Sequence, residues 1–263
     1  MVDLGPRVSS LIRFVPVFLA AIYFGGPLFL LLVLVVAQLA AAEMENLLGS
    51  ERMWSARITL VAMPLAAAYG APHLLFLGYP LLLLEPAIAL FTRRADVEWQ
   101  SVMQRWQATV LTAFYLGLFA VWPVLRGIES GREIFLWAVL VVWLNDAGAY
   151  LIGSRWGNGG MVPQLSPKKS WIGAIGGLVA GGAVGAGVGS FIGYPGFSMF
   201  AAGLATAVAA QFGDLFASFI KRTSGSKDSG SLFPGHGGML DRTDSLLFAL
   251  PAALLLFSSG LLG

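Results

Sequence analysis

The sequence predicts an all-α, polytopic integral membrane protein with about nine transmembrane helices. Three observations predict it. The 263-residue chain is 57% hydrophobic and only 11% charged, with a mean hydropathy of +0.78. Ordinary globular domains are about 45–50% apolar and about 25% charged. Its apolar runs recur at spanning length, whereas barrel strands would show short alternating segments. Its cations concentrate in alternate connections between those runs.

The runs place spans near 11–25, 28–48, 58–71, 73–91, 108–125, 134–152, 171–193, 198–219 and 245–262. The first and third are short for a hydrocarbon core of about 30 Å, which needs about 20 residues. Tilt, local thinning, or snorkelling of Arg13 and Arg57 accommodates them. The first run lacks a small-residue cleavage pattern, so it reads as a retained span. With nine spans, one face receives the N-terminus and the connections after the second, fourth, sixth and eighth. Of the 16 Lys and Arg residues, that face holds fourteen: Arg7, Arg13, Arg52, Arg57, Arg93, Arg94, Arg105, Arg155, Lys168, Lys169, Lys221, Arg222, Lys227 and Arg242. Only Arg126 and Arg132 fall on the other. The positive-inside rule then makes the N-terminus cytoplasmic. Residues 1–107 form the N-terminal helices, and 108–263 a C-terminal catalytic region with cytoplasmic loops 154–170 and 221–244, within a single bundle.

The seventh span carries Gly173, Gly177, Gly181, Gly185, Gly189 and Gly193 at a spacing of four. This stripe lets another backbone approach closely, either inside the bundle or across a homodimer seam. The chain has no cysteine, which excludes disulfides and thiolate metal sites. Its two histidines, His73 and His236, disfavour a multi-histidine zinc site.

Polar residues gather in three places on the cytoplasmic side. Asn145 and Asp146 lie within the sixth span, where a carboxylate is costly and usually functional. The Gly/Pro-rich loop 157–171 delivers Ser166, Lys168, Lys169 and Ser170 to the start of the seventh span. Helix-start N–H groups and two ammonium charges there suit a phosphate. The third place is the stretch from Asp214 to Asp244. Asp214, Ser218 and Lys221 share one helical face at spacings of four and three. Arg222, Lys227 and Asp228 follow, then the turn-permitting Gly235-His236-Gly237-Gly238, then Asp241, Arg242 and Asp244. Carboxylates without thiolates favour a hard cation such as Mg²⁺. Beside cations and glycines they suggest metal-assisted handling of phosphates.

The run S-F-I-K-R, four residues, K-D-S-G, then F-P-G-H-G-G-M-L-D-R-T-D resembles the signature of the phosphatidate cytidylyltransferases, or CDP-diacylglycerol synthases. D-A-G-A-Y and S-P-K-K-S-W-I-G-A-I-G-G resemble two further segments of that family. Together they cover Leu144–Asp244; the N-terminal half is similar only in hydropathy. Ala147 stands where the family usually has a hydroxyl residue, Ser170 replaces a common threonine, and Ile172 replaces a glutamate.

The resemblance implies a Mg²⁺-dependent nucleotidyltransferase of phospholipid biosynthesis. It would join CTP to phosphatidic acid, giving CDP-diacylglycerol and pyrophosphate, at a bacterial inner membrane with its site facing the cytoplasm. It implies Asp214, Asp241 and Asp244 as ligands of two divalent ions, and leaves a monovalent cation open. Lys221, Lys227 and Asp228 would join these carboxylates in catalysis. Ser166, Lys168, Lys169, Ser170, Ser218, Arg222, His236 and Arg242 would bind substrate phosphates. Asn145 and Asp146 are weaker candidates near the same site. No nucleic-acid partner is implied. A CTP-dependent polyprenol or phytol kinase, or a related membrane nucleotidyltransferase, is the alternative. A transporter would place its acids near the midplane in paired halves, a pattern this chain does not follow.

Overall fold

A computed structural model of the chain describes residues 4–71, 73, 75–92, 98–233 and 237–260. The expectations attached to Arg93, Arg94, His236 and the side chains of Arg7 and Arg13 lie outside the described residues.

Among the described residues, the body of every expected apolar run falls on a helix. The helices are α1 (Leu4–Phe24), α2 (Gly26–Leu47), α3 (Trp54–Tyr69), α4 (Leu75–Thr92), α5 (Trp99–Gly117), α6 (Val121–Gly127), α7 (Gly131–Trp156), α8 (Trp171–Phe191), α9 (Gly196–Thr223) and α10 (Leu240–Ser258). Among the described residues there is no strand, only isolated bridges at Val162–Ser166 and Phe233–Gly237. Among the described residues, five segments are long and apolar enough to cross a membrane: α2, Trp99–Gly127 (α5 running into α6), α7, α8 and α9. Phe14–Phe24 in α1 is a shorter apolar helix. Phe91, Phe191 and Phe197 are each more than 85% exposed, a surface suited to acyl chains rather than water. This is an all-α integral membrane protein.

Helix ends run past the apolar limits, because hydropathy marks the apolar part of a helix and not its polar turns. α5 begins at Trp99 rather than near 108, through the polar residues Gln100, Ser101, Gln104 and Arg105. α9 continues to Thr223, with Lys221 and Arg222 in its last turn, where cations complement the helix dipole. α10 starts at Leu240, before both Asp241 and Asp244.

The chain packs as two compact units, Met1–Val124 with Asp228–Asp241, and Leu125–Lys227 with Arg242–Gly263. The first has a core of large apolar side chains, including Met44, Met53, Leu60, Phe119 and Trp122, all fully buried. Polar side chains stitch its helices together. Arg57, expected to snorkel outward, instead donates from Nε and Nη2 to the two oxygens of Glu45, at 2.8 and 2.6 Å. A bidentate pair within reach replaces the longer path to water. Glu85 on α4 accepts from Ser55 on α3 and from Thr109 on α5. That carboxylate holds three helices by one side chain.

The second unit is built differently. α8 buries Gly173, Gly177, Gly181, Gly182, Gly185 and Gly189 against its neighbours. A Cβ on Gly177 would lie 2.7 Å from the Asn145 carbonyl oxygen of α7, and one on Gly185 2.7 Å from the Met199 carbonyl oxygen of α9. The glycine stripe therefore serves packing inside the unit, with α7 on one side and α9 on the other. Trp137 on α7 adds an Nε1 hydrogen bond to the Gly185 carbonyl at 3.0 Å.

Candidate active site

Close helix approach in the second unit leaves a cavity of about 680 Å³ where α7, the 157–170 loop, α8 and α9 meet. It joins all three sequence segments singled out above. α7 contributes Asn145 and Asp146, the loop contributes Lys168, Lys169 and Ser170, and α9 contributes Gln211 and Asp214.

Each wall has a local cause. The α8 start is capped by Ser170, whose hydroxyl accepts from Gly173 N at 3.1 Å. This satisfies one of the N–H groups that a helix start leaves unpaired. A Cβ on Gly153 would lie 3.2 Å from Gly173 Cα, so glycine on both helices lets α7 and α8 meet at the cavity. The loop folds back on itself through the Ser166 N–Val162 O bond at 2.9 Å and the Lys169 N–Ser166 O bond at 3.2 Å. Arg222, at the end of α9, fastens that loop by donating Nε to the Leu165 carbonyl at 3.0 Å. A second donation, from Nη1, reaches the Ser226 carbonyl at 3.0 Å.

The acids of the cavity are oriented by neighbours. Asn145 is fully buried and donates Nδ2 to Asp146 Oδ1 at 3.0 Å. Gln211 donates Nε2 to Asn145 Oδ1 at 2.9 Å and to the Ala174 carbonyl at 3.0 Å. A chain of amides thus runs from α9 to the Asp146 carboxylate. Asp214, one turn beyond Gln211, pairs with Lys169. Gln211 escaped the sequence reading; its signal was a lone amide in an apolar run, three residues before Asp214 and so on the same face.

The remaining expected residues sit elsewhere. Lys221 and Asp244 are both buried and face each other, with Nζ 4.0 Å from Oδ2. Asp244 Oδ1 also accepts from Ser245 N at 2.7 Å. α10 crosses α9 at Gly213, where an added Cβ would lie 2.5 Å from the Asp244 carbonyl oxygen. Asp244 therefore enters beside the turn that carries Asp214. Ser218 is half-buried on α9; Lys227 and Arg242 are exposed.

Asp228 and Asp241 belong to the first unit. Asp228 is exposed. Asp241 Oδ2 accepts from Ser229 N at 2.8 Å and Gly238 N at 2.8 Å and lies 2.9 Å from Ser229 Oγ. Gly237 has φ +77, a left-handed turn that a glycine adopts without strain. Glu43 of α2 reaches the same loop, and no spacing in the sequence pointed to it.

Within each unit, the described residues hold no group of three acidic or imidazole side chains converging on one point. Mg²⁺ does not need one. It is commonly held by one or two carboxylates, the rest of its octahedron coming from water and substrate phosphate. Asp146 and Asp214 lining one cavity fit that mode, and the chain offers no thiolate for a softer metal.

A family model described as the cytidylyltransferase family matches residues 6–259. A phosphatidate cytidylyltransferase of Pseudomonas aeruginosa is 32% identical over 275 residues, covering 98% of both chains. One of Brucella suis biovar 1 is 41% identical over 165 residues, 62% of this chain and 60% of the relative. One of Staphylococcus aureus strain COL is 41% identical over 125 residues, 47% of this chain and 48% of the relative. The chain thus spans 60% of the length of the Brucella relative.

Proposed function

We propose a reaction from one premise: this chain belongs to the cytidylyltransferase family. The reaction is transfer of the cytidylyl group from CTP to phosphatidic acid, giving CDP-diacylglycerol and pyrophosphate. A lipid phosphate oxygen attacks the α-phosphorus of CTP, and the bond from that phosphorus to the β-phosphate oxygen breaks as pyrophosphate leaves. The nucleophile is already anionic, so the step needs alignment and charge neutralisation more than proton transfer.

One observation carries this reading. Asp146, Asp214, Lys168, Lys169 and the capped start of α8 share a single cavity. Its volume of about 680 Å³ lies within the range of about 300–1,000 Å³ usual for small-molecule sites. Lys168 is exposed and can meet incoming phosphate, while Lys169 pairs with Asp214 in the same cavity. The N–H groups of the first turn of α8 add a positive dipole end. Asp146 and Asp214 would hold Mg²⁺, whose chemistry is to screen phosphate charge and polarise the α-phosphate. Asp241 and Asp244 remain part of the proposed ligand set by resemblance. Arg222 and Ser166 support the loop wall through the bonds described above, and Lys221 faces Asp244.

We place the fourteen-cation face and the catalytic loops in the cytoplasm, at a bacterial inner membrane. The absence of native cysteine makes this directly testable. A single Lys227→Cys should react with a membrane-impermeant maleimide only in inverted vesicles, and Arg132→Cys only in right-side-out ones.

The reaction is tested with CTP, phosphatidic acid and Mg²⁺ in detergent, following pyrophosphate release and formation of the liponucleotide. A polyprenol or phytol kinase would instead release CDP with an alcohol acceptor. CDP release with alcohols, and no pyrophosphate with phosphatidic acid, would overturn the assignment.

A further inference from the structure

We propose that Glu43 of α2 is a positioning residue for the reaction, holding the signature loop in its working shape from the far end of the sequence. The proposal rests on the cytidylyl-transfer reading above.

Glu43 lies one turn from the end of α2 and is 7% exposed. Its Oε1 accepts from Met239 N at 2.7 Å. Its Oε2 accepts from Leu240 N at 2.8 Å and from Ser229 Oγ at 2.7 Å. α10 begins at Leu240, so these are N–H groups that no bond within the helix can satisfy. A carboxylate at the positive end of a helix is also favoured by the dipole. Glu43 is therefore a helix cap supplied by a partner 196–197 residues away in sequence.

The loop is shaped to admit that carboxylate. A Cβ on Gly238 would collide with both Glu43 carboxylate oxygens and with Ser229 Oγ. One on Gly230 would lie 2.9 Å from Glu43 Oε1. Two glycines of the signature are thus explained by the approach of Glu43 and not by an unusual φ. Ser229 links the clamp to the chemistry. Its hydroxyl lies between Glu43 Oε2 and Asp241 Oδ2, and Asp241 takes the Ser229 and Gly238 N–H groups as well. Both ends of the 229–240 segment are held by these two carboxylates. Glu43 is enclosed by protein donors, so it acts through the loop and not on substrate.

The test uses the full chain in detergent micelles, comparing wild type with Glu43→Ala, Glu43→Gln, Glu43→Asp and Ser229→Ala. Two readouts are taken: amide hydrogen exchange by mass spectrometry, and kcat and KM for CTP with phosphatidic acid. Glu43→Ala is expected to speed exchange in the 229–241 peptide and leave α7–α8 peptides at wild-type rates. Its kcat should fall about 10–100-fold, the usual range for partners that orient a site residue, with KM for CTP little changed. Glu43→Asp should recover part of both effects. If Glu43→Ala gives no folded protein, Glu43→Gln, which keeps the shape and one acceptor, and Ser229→Ala answer the same question. Unchanged exchange at 229–241, or exchange raised equally throughout the chain, would overturn the proposal. The exchange measurement needs no substrate. A wild type that fails to turn over CTP and phosphatidic acid would refute the reaction and leave the loop clamp separately readable.

Discussion

Glu43 and Asp241 in the first unit are ringed by backbone N–H groups, while Asp146 and Asp214 in the second line a cavity of about 680 Å³. All four are carboxylates near a helix start or a helix crossing. The first pair have their oxygens directed at Met239, Leu240, Gly238 and Ser229, and they define the path of the chain. The second pair are aimed by side chains, Asn145 and Lys169, and keep faces toward open volume. Residue type alone therefore does not tell a carboxylate held by the loop from one that faces a cavity. The difference lies in whether the surrounding donors belong largely to the backbone or to side chains.

The largest test of that contrast is Asp214→Asn. It should lower kcat by about 10²–10³-fold, the scale of removing one charge-stabilising group. Thermal stability in detergent should barely move, because the lost partner is the partly exposed Lys169. Activity close to wild type would break the contrast at its stronger side. The converse change is Gly238→Ala in the clamp. Its Cβ meets the Glu43 carboxylate and Ser229, so it should cost about 1–3 kcal/mol of stability, as overpacking does. A calorimetric or fluorescence melt against wild type reads this directly.

Ser170→Ala tests whether the cavity wall depends on its cap. Losing the bond to Gly173 N should cost about 1 kcal/mol, with a smaller effect on turnover than Asp214→Asn. Lys168→Ala should give the smallest change, a rise in KM for CTP at low salt that shrinks as ionic strength rises. Lys168 is exposed, and exposed charges are screened within about 10 Å at 0.1 M salt. A salt-independent rise would place Lys168 in a drier contact with substrate than the cavity suggests.

The sequence made the long helices readable because their apolar runs stand out in hydropathy. The glycine stripe of α8 was equally plain, since a spacing of four survives any choice of helix ends. The segments around Asp146, Lys169 and Asp214 announced themselves by polarity within apolar surroundings, and the structure gathers these three at one cavity. Gln211 and Glu43 were not legible, for a shared reason. Gln211 is a lone amide in an apolar run and Glu43 stands beside Glu45 and Asn46 at the polar end of α2, but the partners lie 66 residues away for Gln211 and Asn145, and up to 197 for Glu43 and Leu240. Local spacing carries no information about such pairs. The helix limits were misplaced where polar turns extend a helix, at Trp99, Thr223 and Leu240.

The Glu43 clamp also sets a schedule for the ribosome. Chains are made from the N-terminus, and early segments settle before later ones exist. α2 enters the bilayer with Glu43 near its end, but Ser229, Met239 and Leu240 emerge only after 186 or more further residues. Throughout that interval the acid lacks those three donors, and an uncompensated acid in a span is costly. Its place one turn from the end of α2 lets it wait close to water. A C-terminally truncated chain would never release it from that wait, which gives membrane quality control a chemical mark of an unfinished molecule.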